Sequence, residues 1–98
     1  MNIIEEIKLD PDKPNILSIQ KTNKINLMAV GLLQNQMLKK HKTQIPTLLT
    51  VLKGAITFYI NNESMHLGAF DTLQIPVNTE HEAKGMESEN VFTLMQEK

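Results

Sequence analysis

Three histidines, His41, His66 and His81, are the residues of this chain best suited to chemistry, because an imidazole both exchanges protons near neutral pH and ligates transition metals. The chain has no cysteine. Disulfides, thiolate metal sites and cysteine nucleophiles are therefore excluded, and any metal must be held by His, Asp, Glu or neutral oxygen donors. His66 stands between Met65 and Leu67, whose apolar side chains take the opposite face of a strand, so it is expected outside an interior pocket. Lys39, Lys40 and Lys42 surround His41; they either draw an anionic substrate toward the mouth of a pocket or form a solvated loop. Glu80 either tunes the basicity of His81 or faces water on the alternate side of a strand. Gln34, Gln36 and Gln44 lie close enough in sequence to His41 to offer a carbonyl oxygen. No nucleophile triad, phosphate-binding glycine loop or carboxylate pair accompanies these residues.

The elements that must position them read as short strands. Residues 2–9 place Ile3, Ile4 and Ile7 at helical spacing before Asp10, Pro11, Asp12 and Pro14 impose a turn, which predicts a short helix and then a strap. Strands are expected over 16–19 and 24–33. The 48–60 block, rich in β-branched and aromatic residues, is one bent strand or two about Gly54. Asn61 and Asn62 tolerate positive φ, so 59–64 reads as a tight hairpin that reverses the chain into 65–67. Further strands are expected over 71–75, stopped by Pro76, and over 91–95. Of the six methionines, Met28 and Met95 are expected in the core.

Strands of this length at roughly ten-residue spacing, with no long helical pattern between them, favour a sandwich or barrel. At 98 residues the chain has room for one core, and its 41% apolar and 21% charged residues are ordinary for a globular protein. A formal net charge of −1 supplies no drive toward phosphate backbones or anionic lipid, so neither nucleic acid nor a membrane is expected as a partner. The first ten residues are unlike a signal peptide, and no apolar run approaches the ~20 residues needed to cross a bilayer. A cytoplasmic location is the expectation.

The stretch from Leu38 to Gly54 resembles the first conserved motif of the cupin family. In that motif a glycine is followed by His-x-His, then a Glu, then a closing Gly. His41 stands at the first histidine, Gly54 at the closing glycine, Thr43 at the second histidine, Thr47 at the glutamate and Asn35 at the opening glycine. The second motif, Gly, Pro, Gly, His and then Asn, falls on Phe70, Pro76, Asn78, His81 and Gly85, with Asp71 matching the Asp that commonly follows the first glycine. The resemblance extends from about residue 31 to 94, and it keeps spacing better than residue type.

The resemblance implies an all-β fold, a cupin-type double-stranded β-helix (jelly-roll barrel) with a short N-terminal helix or strap. The single domain is then 1–98, with the strap and first strand in 1–23 and the barrel in 24–98. It also implies that His41 and His81 converge on a ligand pocket with Thr43 and Thr47, and that the protein forms homodimers, the strap being a candidate element of the interface. A family metal site uses three imidazoles and a carboxylate, and only two strong ligands, His41 and His81, remain here. At most one weakly held divalent transition metal ion is expected, and the same pair could instead hydrogen-bond an organic ligand. Three functions stay open: a small-molecule-binding barrel, a metal-dependent oxygenase or isomerase acting on a small polar or acidic compound, and a non-catalytic dimeric scaffold or partner-binding module.

Overall fold

A computed structural model describes the backbone of residues 1–98 and every side chain except those of Lys40 and His41. A four-residue helix α1 (Ile3–Glu6) precedes nine strands: β1 (Asn15–Lys21), β2 (Ile25–Leu33), β3 (Met37–His41), β4 (Thr47–Lys53), β5 (Ala55–Ile60), β6 (Glu63–Gly68), β7 (Thr72–Ile75), β8 (His81–Gly85) and β9 (Glu89–Glu97). They form a five-stranded sheet in the order β1-β2-β9-β4-β7 and a four-stranded sheet in the order β3-β8-β5-β6. All named pairings are antiparallel. The two sheets face each other as the expected double-stranded β-helix.

Strand alternation builds the core. Along β5 the inward Ile56, Phe58 and Ile60 are buried, and they meet Phe92 and Leu94 of β9 and Leu49 and Val51 of β4. Burying each such side chain is worth about 1.5–3 kcal/mol, so the inner faces are the main source of stability. A second, smaller layer lies outside the large sheet, where Ile7 packs on Ala29 and Val91. Here the strap presses so closely on β2 that a Cβ at Gly31 would fall 2.3 Å from Leu9 Cδ2. Asn2 caps α1 by accepting from Glu5 N, and Asn15 Nδ2 donates to Lys8 O where the strap enters β1.

Gly54 divides the 48–60 block into β4 and β5 with φ 75°. A side chain there would collide with Glu89 O at 2.3 Å and Asn90 Oδ1 at 2.5 Å. Asn61 and Asn62, at φ 53° and 61°, form a two-residue turn with both φ values positive, as a type I′ hairpin requires. Ile60 pairs with Glu63 across it. Two strands were not expected from the sequence. β3 (Met-Leu-Lys-Lys-His) and β8 (His-Glu-Ala-Lys-Gly) contain no β-branched residue, and only their pairing with each other and with β5 makes them strands. Met28 packs against the core as expected, but Met95 does not. It lies on the outward face of β9 and is 40% exposed, because the inward positions there belong to Phe92 and Leu94.

Asn90 closes one end of the barrel. It is fully buried, and its Oδ1 accepts from Ala55 N and Glu87 N while its Nδ2 donates to Leu32 O and Glu87 O. One carboxamide thus ties β9 and β2 of the large sheet to β5 of the small one. Replacing it with alanine removes the partner of the buried Leu32 O and of the part-buried Ala55 N and Glu87 groups, at a cost of about 1–3 kcal/mol for each group left unpaired. Asn90→Ala is expected to lower stability by about 3 kcal/mol, read as a fall in the urea midpoint at unchanged slope.

Candidate functional site

The opposite end of the barrel gathers the residues singled out in the sequence. It is formed where β3, β5, β7 and β9 finish and β4 and β8 begin. His41 is the direct register partner of His81 across β3 and β8, beyond a bulge that follows Leu38. Two residues forty positions apart thereby become strand neighbours, at a Cα separation typically about 4.5–5.5 Å for opposed antiparallel positions. The His41 side chain lies outside the described residues.

His81 is 5% exposed and points inward, with its ring stacked on Phe58 at 5.4 Å between centroids and 20° between planes. Its Nδ1 lies 3.0 Å from Thr79 O. A carbonyl oxygen only accepts, so Nδ1 carries the proton and the lone pair of the neutral ring sits on Nε2. Thr47 is also buried, at 6% exposure. Its hydroxyl donates to Ile45 O and accepts from Gln96 Nε2, so its proton is committed within the protein. Thr43 is half-buried in the loop after β3; its Oγ1 accepts from Ile45 N, and its carbonyl accepts from Asn78 N at 2.7 Å. That last bond joins the two loops that border the open end.

Gln34, Gln36 and His66 lie elsewhere. Gln36 sits at the closed end, accepting from Leu33 N and donating to Asp10 O, and Gln34 donates to Met86 O. Neither faces the histidines. His66 lies on the outward face of β6, exposed, with Nδ1 at 2.9 Å from Thr57 Oγ1.

Between His81 and Asn90 the described inward-facing side chains form the apolar core, and a concavity lies beside it. A cleft of ≈ 790 Å³ opens at the rim of the small sheet. Its wall is the row Ser64, Tyr59 and Glu82, which are register partners on β6, β5 and β8 and face away from the core. Its borders are the Asn61–Asn62 turn, the loop 78–80 and Lys42, and it reaches His81 at the start of β8. Tyr59, Ser64 and Glu82 escaped the sequence reading because they act through a three-strand row, and β8 was not visible as a strand. The one available signal was the alternation along 55–60, which sends Tyr59 to the face opposite Phe58.

No family model matches the chain, and no curated protein matches it. Solved structures do. A cupin superfamily protein from Desulfitobacterium hafniense superposes with a TM-score of 0.89 at 11% identity, covering 99% of this chain and 88% of that one. An uncharacterised protein with a double-stranded β-helix domain from Klebsiella pneumoniae gives 0.90 at 17% identity over 99% and 87%. KdgF from Halomonas sp. gives 0.85 at 15% identity over 99% and 91%. The chain therefore has the cupin fold.

That fold implies a metal held by three imidazoles and a carboxylate, and the donors here do not fit it. Thr43 and Thr47 occupy two of the four positions, and the Thr47 hydroxyl is already committed to Ile45 O and Gln96. Among the described residues no three His, Cys, Asp or Glu side chains converge. The His81 tautomer is open to measurement. Long-range ¹H–¹⁵N correlation spectra of the neutral ring should show the Nδ1–H form, and an Nε2–H pattern would rule out the bond to Thr79.

Proposed function

We propose that the protein binds a small polar molecule at the open end of the barrel, in the rim cleft that reaches His81. The observation that carries this reading is the division of space: the interior is packed with apolar side chains, whereas the cleft is lined by hydroxyls, carboxamides and charged groups. Concave sites with convergent polar groups are the usual places for small ligands. In this reading His81, oriented by Thr79 and Phe58, borders the cleft, His41 stands opposite it in register, and Thr43 and Thr47 hold the surrounding loops. The similarity to KdgF and to cupin superfamily proteins is a similarity of fold, and one fold hosts many reactions.

Backbone amide ¹H–¹⁵N titration with a panel of small polar fragments tests the site. Shifts are expected to cluster at Tyr59, Asn61, Glu82 and His81 while Phe92 and Asn90 at the closed end stay still. Shifts confined to the strap or the outer face of the large sheet would overturn the assignment.

A metal contributes weakly in this reading, because two imidazoles supplemented by neutral oxygens bind far less tightly than a full four-ligand set. Protein purified without an affinity tag is expected to carry well under one equivalent of any transition metal. Stoichiometric metal surviving dialysis would instead favour a metal-dependent oxygenase or isomerase.

A further inference from the structure

We propose that a second copy of this chain docks on the outward face of the large sheet, giving a homodimer whose two large sheets stack face to face. The inference is independent of the cleft, which lies on the other sheet. Two adjacent rows of side chains cross all five strands on this face. In one, Gln20, Leu27, Met95, Leu48 and Gln74 are register neighbours along β1, β2, β9, β4 and β7. In the next, Leu17, Ala29, Thr93, Thr50 and Thr72 follow the same order. Neither row contains a charged residue, although 21% of the chain is charged. The small sheet is different, since its outward rows Ser64–Tyr59–Glu82 and His66–Thr57–Lys84 each carry a charge.

An apolar centre with charge depleted and a polar rim is the anatomy of an interface core. Leu27, Met95 and Leu48 form that centre, and a glutamine stands at either end of their row. Met95 is 40% exposed, and Ile25, two residues before Leu27 on β2, is 38% exposed. Charge returns at the margins, where Lys53 and Glu89 pair with each other at 2.7 Å beside the strap. The strap packs Ile7 on Ala29 and Val91 and adds the exposed Ile4 to the apolar border. The pattern selects a second copy as the occupant. β9 is the middle strand of the five, so a two-fold axis through the centre of the face sets Met95 beside the partner's Met95. A charged face packed on its own copy opposes like charges, whereas these two rows oppose none, and their hydroxyls and carboxamides can hydrogen-bond across the axis. Five strands about 4.8 Å apart make the face about 24 Å wide. In a molecule of 34 × 30 × 25 Å, that sheet face together with the strap border approaches the roughly 800 Å² per partner of a specific interface.

Sedimentation equilibrium across a concentration series is expected to give twice the chain mass, falling to the chain mass on dilution. Met95→Glu sets two carboxylates against each other at the axis and is expected to weaken the dimer about a hundredfold while the backbone amide spectrum stays that of a folded barrel. Lys84→Glu, on the outward face of the small sheet, is expected to leave the dimer intact. In the unsubstituted protein a soluble paramagnetic probe should spare the methyl groups of Leu27, Leu48 and Met95, a reading that needs no variant to fold. A monomer at every concentration up to millimolar overturns the proposal, and so does strong broadening of all three methyl signals. A dimer that survives Met95→Glu, or that Lys84→Glu splits, places the interface elsewhere and overturns it as well.

Discussion

The barrel depends on the apolar interior between its two sheets, and at one end the buried Asn90 carboxamide ties those sheets together. It satisfies backbone groups from both sheets where β2 ends and β5 and β9 begin. Gly54 must lack a side chain for this to happen, since a Cβ would strike both Glu89 O and Asn90 Oδ1. The opposite rim, where His81, Thr47 and Thr43 lie, carries the loops, the hydroxyls and the cleft.

The cupin resemblance rests on spacing more than on side chains, and backbone conformation explains why. The two motifs place glycine at the positions of Asn35, Gly54, Phe70 and Asn78. All four adopt left-handed conformations, with φ of 69°, 75°, 71° and 58°. Asparagine occupies two of them at little cost because its short side chain tolerates that region. Phe70 does not tolerate it well, and it is 80% exposed, so little packing compensates. It is held by its N–H to Val51 O at 2.7 Å, in a turn where Asp71 Oδ2 accepts from Gly68 N.

The same contrast runs through the candidate site. The motif positions for the second histidine and the glutamate are filled by threonines, yet Thr47 still begins β4 facing inward and Thr43 still borders the rim. Their hydroxyls bond within the protein, to Ile45 in the loop that joins β3 to β4. On its inner side His81 stacks on Phe58, and the cleft lies on the outward face of the small sheet.

The amino-acid sequence by itself determined the all-β class, a bend or break at Gly54, the Asn61–Asn62 turn, the short N-terminal helix and the outward placement of His66. Each follows from local rules: which residues tolerate positive φ, where proline and glycine interrupt strands, and how side chains alternate. Tertiary structure decided what those rules cannot reach. β3 and β8 are strands only because they pair with each other and with β5, and that pairing sets His41 opposite His81 and assembles the Ser64–Tyr59–Glu82 row. Met95 falls outside the core for a related reason, since the register of β9 against β2 and β4 assigns its face to the exterior. Strand propensity is a property of a residue, whereas register belongs to a pair of strands distant in the chain.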